Sequence, residues 1–157
     1  MRVRVIGVGS AFGDDAVGLA VVEVLARRQL PAQITVARCE RPMPDLLDAL
    51  DALDEIEGIV LVDATRSGAP IGSVRQLCAE EVTRARATSS HGFGVASALL
   101  LAQTLGCPAT RVEWVGIEAG PRRWGDPLSA AVAGALPEAA ALALRLACEI
   151  AGLGARS

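Results

Sequence analysis

Three residue types are missing from this 157-residue chain: lysine, asparagine and tyrosine. All 15 of its basic side chains are therefore arginine. Without lysine there is no Schiff-base amine and no Walker-type phosphate lysine. Histidine is almost as scarce. His91 is the single copy, so any Ser-His-Asp relay or imidazole ligand has to use it. The formal net charge of -3 leaves no basic footprint, and nucleic acid is not an expected partner. Cys39, Cys78, Cys107 and Cys148 stand far apart with no C-x-x-C pair, which argues against a zinc knuckle or a thioredoxin-type couple. They read as reduced, mostly buried thiols. The opening MRVRVIGVG lacks the apolar core of a signal peptide, and no apolar run is read as long enough to span a membrane. The expectation is a cytoplasmic protein with no membrane partner.

What is present describes a globule. At 52% hydrophobic and 21% charged residues, the composition is that of a soluble domain, and the length fits one domain, residues 1–157, with a single core. Val3 to Val8 is a β-branched run ending in glycines, and Val17, Val21, Val24 and Leu25 follow at helical spacing. Further strands are predicted over Gln33–Cys39, Gly58–Asp63 (GIVLVD), Gly72–Cys78 and Arg111–Ile117, the fourth antiparallel and at an edge. Helices are predicted over Pro44–Leu53, from Ser89-Ser90 to about Leu105, and along the tail, where Pro137 is expected to interrupt the helix and open a second piece. Alternating strands and helices predict an α/β fold: a three-layer αβα sandwich around a mostly parallel five-stranded sheet.

Such sheets bind ligands outside the carboxyl ends of their strands. Three segments bring polar residues there: Asp14-Asp15 after the first strand, Asp63 at the end of the third, and Ser89-Ser90-His91 at a helix start. Each has a structural alternative. The aspartates can cap and charge the helix behind them, Asp63 can close an Asx turn in DATRSG, and His91 can be an ordinary first-turn residue. Neighbouring residues do not project together, so if Asp14 caps, Asp15 is free to point over the strand ends. Gly7, Gly9 and Gly13 also come close to a dinucleotide fingerprint, with Glu40 as the ribose-binding acid. Against that reading, Asp14 and Asp15 put negative charge where a pyrophosphate would sit. Asp15, Asp63 and His91 together offer two carboxylates and an imidazole, a set suited to a borderline divalent ion such as Ni²⁺ or Zn²⁺.

In order along the chain, GVGSAFGDDAVG, IVLVDA, SSHGFG, and GIEAG followed by DPLSAAVAGALP resemble the motifs of the hydrogenase maturation endopeptidases. These enzymes trim the C-terminal tail from the large subunit of [NiFe]-hydrogenases. The resemblance spans nearly the whole chain. It implies a peptidase with no intrinsic cofactor that reads nickel already installed in its substrate, for which cadmium or zinc can substitute. The nickel-binding and catalytic positions fall on Asp15, Asp63 and His91. The implied partner is a [NiFe]-hydrogenase large-subunit precursor, and the family tends to act as a monomer.

Two positions depart from the family pattern. Ser10 stands where the family commonly has asparagine, and CERPMPDLLDAL, stiffened by Pro42 and Pro44, replaces a glycine-rich loop. A non-catalytic nickel-checking chaperone of the large subunit and a dinucleotide-binding enzyme are the alternative functions. Trp124 with Arg122 and Arg123 reads either as a recognition lip for the partner or as a solvated loop with a packed indole.

Overall fold

A computed structural model of the chain describes residues 1–41, 56–78, 81, 111–121 and 125–154. The helices expected over 44–53 and 89–105, together with His91, Cys107 and the 122–124 lip, lie outside the described residues. Five strands form one sheet: β1 (Arg2–Val8), β2 (Ile34–Cys39), β3 (Ile56–Thr65), β4 (Val74–Leu77) and β5 (Arg111–Glu118). Their order is β2-β1-β3-β5-β4, with every pairing parallel except β4 with β5. The antiparallel edge strand expected from the sequence is β4. β3 runs past Asp63 to Thr65, two residues beyond the expected end.

Both faces of the sheet are buried. Val3, Val5, Val60, Val62, Val115 and Ile117 join a core with α1 (Val17–Ala26) and α2 (Ala130–Ala151). Alternating with them, Ile6, Val8, Ile59 and Leu61 are fully buried on the opposite face. A sheet covered on both faces is the middle layer of three, in keeping with the β-branched and apolar residues read in β1 and β3.

α1 sits unusually close to the sheet. A Cβ on Gly18 would lie 2.2 Å from the Val8 carbonyl oxygen and 2.4 Å from that of Val62, and one on Gly7 would lie 2.1 Å from the Gly18 oxygen. Glycine at both positions lets helix backbone rest on strand backbone, which brings the turn between β1 and α1 down onto the strand ends.

α2 corrects two expectations. It is one continuous helix of 22 residues with Pro137 inside it. Proline removes the bond to the Ala133 carbonyl, but Pro137 and Ala133 are both exposed, so water can take the freed oxygen. The opposite stripe, including Ala135, Ala139, Ala143, Leu146, Ala147 and Ile150, stays packed in the core. Ser129 caps the start by accepting from the Val132 N–H, and Gly152, at φ 72°, closes a Schellman end in which the Leu153 N–H reaches the Cys148 carbonyl at 2.9 Å. α2 is also long and apolar enough, by length and composition, to cross a membrane. The sequence reading missed this, and the buried stripe makes α2 a core helix.

Three cysteines are described, all as free thiols. Cys39 is buried, Cys148 half-buried and Cys78 exposed, so burial is less general than expected.

Candidate active site

β1 delivers its chain to the rim through Gly9, whose N–H still reaches the Cys39 carbonyl at 3.2 Å. A Cβ on Gly9 would fall 2.1 Å from the Asp15 carbonyl oxygen. The glycine turn is therefore filled by its own chain. Gly13, at φ 52°, turns the backbone into a short 3₁₀ segment, Gly13–Ala16, that carries both aspartates.

Neither aspartate stands at the N-cap of the helix behind it. The residues at the two helix starts, Phe12 and Ala16, carry no side-chain cap bond. Asp14 instead reaches across the fold: its Oδ1 accepts from the Ser129 N–H at 2.6 Å, and its Oδ2 accepts from the Ser129 hydroxyl and the Gly120 N–H, each at 2.9 Å. It thus braces the start of α2 and the segment after β5. Only 3% of its surface is exposed, so these three donors are its replacement for water. With Asp14 committed across the fold, Asp15 is the acid whose charge reaches Asp63. It is also buried, and its Oδ2 accepts from the Ser10 hydroxyl at 2.5 Å.

Asp63 lies on the same face of β3 as Ile59 and Leu61, opposite Gly116 of β5. Its Oδ1 accepts from the Ala64 N–H at 2.8 Å within the strand, so it does not close the turn that follows. Its carboxyl is pushed up to about 7. Burial is the main cause; the Ala64 N–H opposes it, the negative charge of Asp15 adds to it, and the Arg66 guanidinium opposes it. Asp15 and Asp63 are thus brought close enough to sense each other's charge, although they are distant in sequence. Among the described residues no group of three His, Cys, Asp or Glu side chains converges. The pair supplies two donors, and the third expected donor, His91, falls outside those residues.

Glu118, at the end of β5, was not singled out from the sequence. It is 3% exposed. Its Oε1 accepts from the N–H groups of Ser67 and Gly68 at 2.8 and 2.9 Å; its Oε2 accepts from the hydroxyls of Thr65 and Ser67 at 3.0 and 2.9 Å. The signal was available: Glu118 ends an apolar strand with an acid, just as Asp63 follows Ile59–Val62. Glu40, the proposed ribose acid, is paired with Arg38 at 2.9 Å.

These features define a three-layer α/β domain whose parallel strands end at a pair of interacting carboxylates. The sequence profile of the hydrogenase maturation proteases (HycI) matches residues 20–146, well over half of the chain. The chain belongs to that family, and is a peptidase. Its backbone is similar to that of the hydrogenase maturating endopeptidase HybD from E. coli, with a TM-score of 0.81 and 24% identity over 97% of this chain and 94% of the other. A [NiFe] hydrogenase maturation protease HybD from Thermococcus kodakarensis gives 0.76 and 25% over 94% and 99%. The HycI protease of Thermococcus kodakarensis KOD1 gives 0.68 and 22% over 95% and 91%. No curated protein sequence matches the chain.

Proposed function

We propose that the protein is the endopeptidase that removes the C-terminal tail of a [NiFe]-hydrogenase large-subunit precursor once nickel has been inserted. In this reading nickel arrives with the substrate and is met by Asp15, Asp63 and His91. The protein holds no cofactor of its own and works as a cytoplasmic monomer. The observation that carries the reading is the pairing of Asp15 with Asp63 at the carboxyl rim, with Asp63 able to gain or lose a proton near neutral pH.

Buried Asp15 and half-buried Asp63, with their charge conflict, are suited to receive a cation, because it offsets the desolvation and the repulsion that together hold a proton on Asp63. Binding of substrate nickel at the pair would release that proton and fix the precursor at the rim. Ser10 orients Asp15 through its hydroxyl, and Asp63, freed of its proton, can accept one from the attacking water. Positioning supplies much of the rate, since the scissile bond is tethered beside a prepared base.

The test uses full-length precursor with and without nickel, followed by mass spectrometry of the products. Loss of one short C-terminal peptide from the nickel-loaded sample alone supports the reading. Asp15→Ala, Asp63→Ala and His91→Ala proteins should fold and leave the precursor whole. Full trimming by all three would remove the assignment.

A further inference from the structure

The segments that follow β1, β3 and β5 are tied together at one residue, Gly120. Its N–H donates to Asp14 Oδ2 at 2.9 Å, and its carbonyl accepts from Arg66 Nη2 at 3.3 Å. Space there is tight: a Cβ on Gly120 would lie 3.1 Å from Asp14 Oδ2. Arg66 sits within the turn from Thr65 to Gly68, which is wound around the buried Glu118 carboxylate by four hydrogen bonds. Gly68, at φ 88°, allows that winding. Arg75 Nη2 supports it from outside, donating to the Ser67 hydroxyl at 3.2 Å.

Among the described residues, Arg66 is a cation held near the acidic pair Asp15 and Asp63, and that placement calls for a reason. Arg66 is exposed, and its charge reaches Asp63. The bond to Gly120 engages one end of a guanidinium that carries five N–H donors. Peptide hydrolysis places negative charge on the carbonyl oxygen, and preorganised donors at that oxygen are among the largest contributors to rate. Asp15 and Asp63 are acidic and cannot serve it when ionised.

Resting on the processing reading above, we propose that Arg66 is a catalytic residue, donating to the scissile carbonyl oxygen as charge builds there, and that Glu118 is the positioning residue that holds it. Water adds to the carbonyl carbon and forms the new C–O bond, while its proton passes to the base. The carbonyl π pair moves onto the oxygen facing Arg66. Collapse restores the C=O bond and breaks the C–N bond, and the amine leaves with the proton the water gave up.

The experiment measures kcat and KM for nickel-loaded full-length precursor, with melting temperatures recorded for every variant. It compares wild type, Arg66→Ala, Arg66→Lys, Glu118→Gln and the Arg66→Ala/Glu118→Gln double variant, with Arg145→Ala as a remote control. Arg66→Ala should lower kcat by roughly 100-fold with KM little changed, and Arg66→Lys should recover part of it. Glu118→Gln should lower kcat in the wild-type background and add little to Arg66→Ala, because it acts through the same guanidinium. Wild-type kcat in Arg66→Ala, or a loss confined to KM, overturns the role of Arg66. Additive losses in the double variant overturn that of Glu118. A wild-type chain that leaves the precursor uncut overturns the processing reading itself, and this step with it.

Discussion

Asp14 braces the N-cap of a helix, 115 residues further on: its Oδ1 accepts from the backbone N–H of Ser129, the N-cap residue of α2, at 2.6 Å. The acid next to Asp15 thereby joins the first loop of the fold to the start of α2.

Removing that brace should be costly. Asp14→Ala leaves the buried Gly120 N–H and the two part-buried donors of Ser129 without their acceptor, and is expected to destabilise by about 1–3 kcal/mol. Asp14→Asn, which keeps one acceptor oxygen, should lose less. Urea unfolding of the three proteins checks the order.

Asp63 should make stability depend on pH. The folded chain keeps the Asp63 proton up to about pH 7, whereas the unfolded chain releases it near 3.8. Between these values the native state binds more protons, so this group's contribution falls as pH rises through the window. Asp63→Asn removes the dependence. Its stability relative to wild type should rise from pH 4 to pH 7 by roughly 2–4 kcal/mol and then level off. A difference flat across that range, in unfolding curves taken every half unit, would contradict the burial assigned to this carboxyl.

Gly18→Ala should be among the most damaging small changes in the protein. Its methyl group would meet two backbone oxygens, of Val8 and Val62, and neither can rotate away. A loss of about 3 kcal/mol or more is expected, since α1 would have to lift from the sheet. Because Asp15 rides on the turn before α1, cleavage should fall even in the fraction that remains folded.

At Ser10, the expected effect is on activity more than on fold. Ser10→Ala removes the donor to Asp15 Oδ2 and should cost about 1 kcal/mol of stability together with a measurable drop in cleavage. Ser10→Asn restores a donor and should keep activity near wild type. Trimming assays on the two variants distinguish a hydrogen-bonding role from simple space filling.

Pro137→Ala restores the missing helix bond on the exposed face of α2 and should stabilise by about 1–3 kcal/mol. Thermal unfolding reads this directly.

Much of the fold was legible in the sequence because burial on both faces leaves a simple mark. Val5 to Val8 and Ile59 to Val62 are continuous apolar runs, and such runs ending in glycine or acid mark central parallel strands whose carboxyl ends form a rim. The antiparallel edge position of β4 could also be read, from alternation and a preceding turn. Pro137 misled because local propensity argues for a break, whereas the alanine stripe beneath it is packed tightly enough to carry the helix through. Glu118 was overlooked because one acid at a strand end does not state its partners.

The sequence by itself determined the α/β class, the family and the acids available at the rim, because periodicity and motif order are properties of the chain. Which aspartate does what was decided only in three dimensions. Asp14 and Asp15 are adjacent and chemically identical, and nothing local distinguishes them. The contrast arises from what lies across the fold: backbone N–H groups of Gly120 and Ser129 for one, and the charge of Asp63 for the other. Hydrogen bonds and charge interactions act through space over a few ångströms, so their partners are chosen by topology and cannot be read from order along the chain.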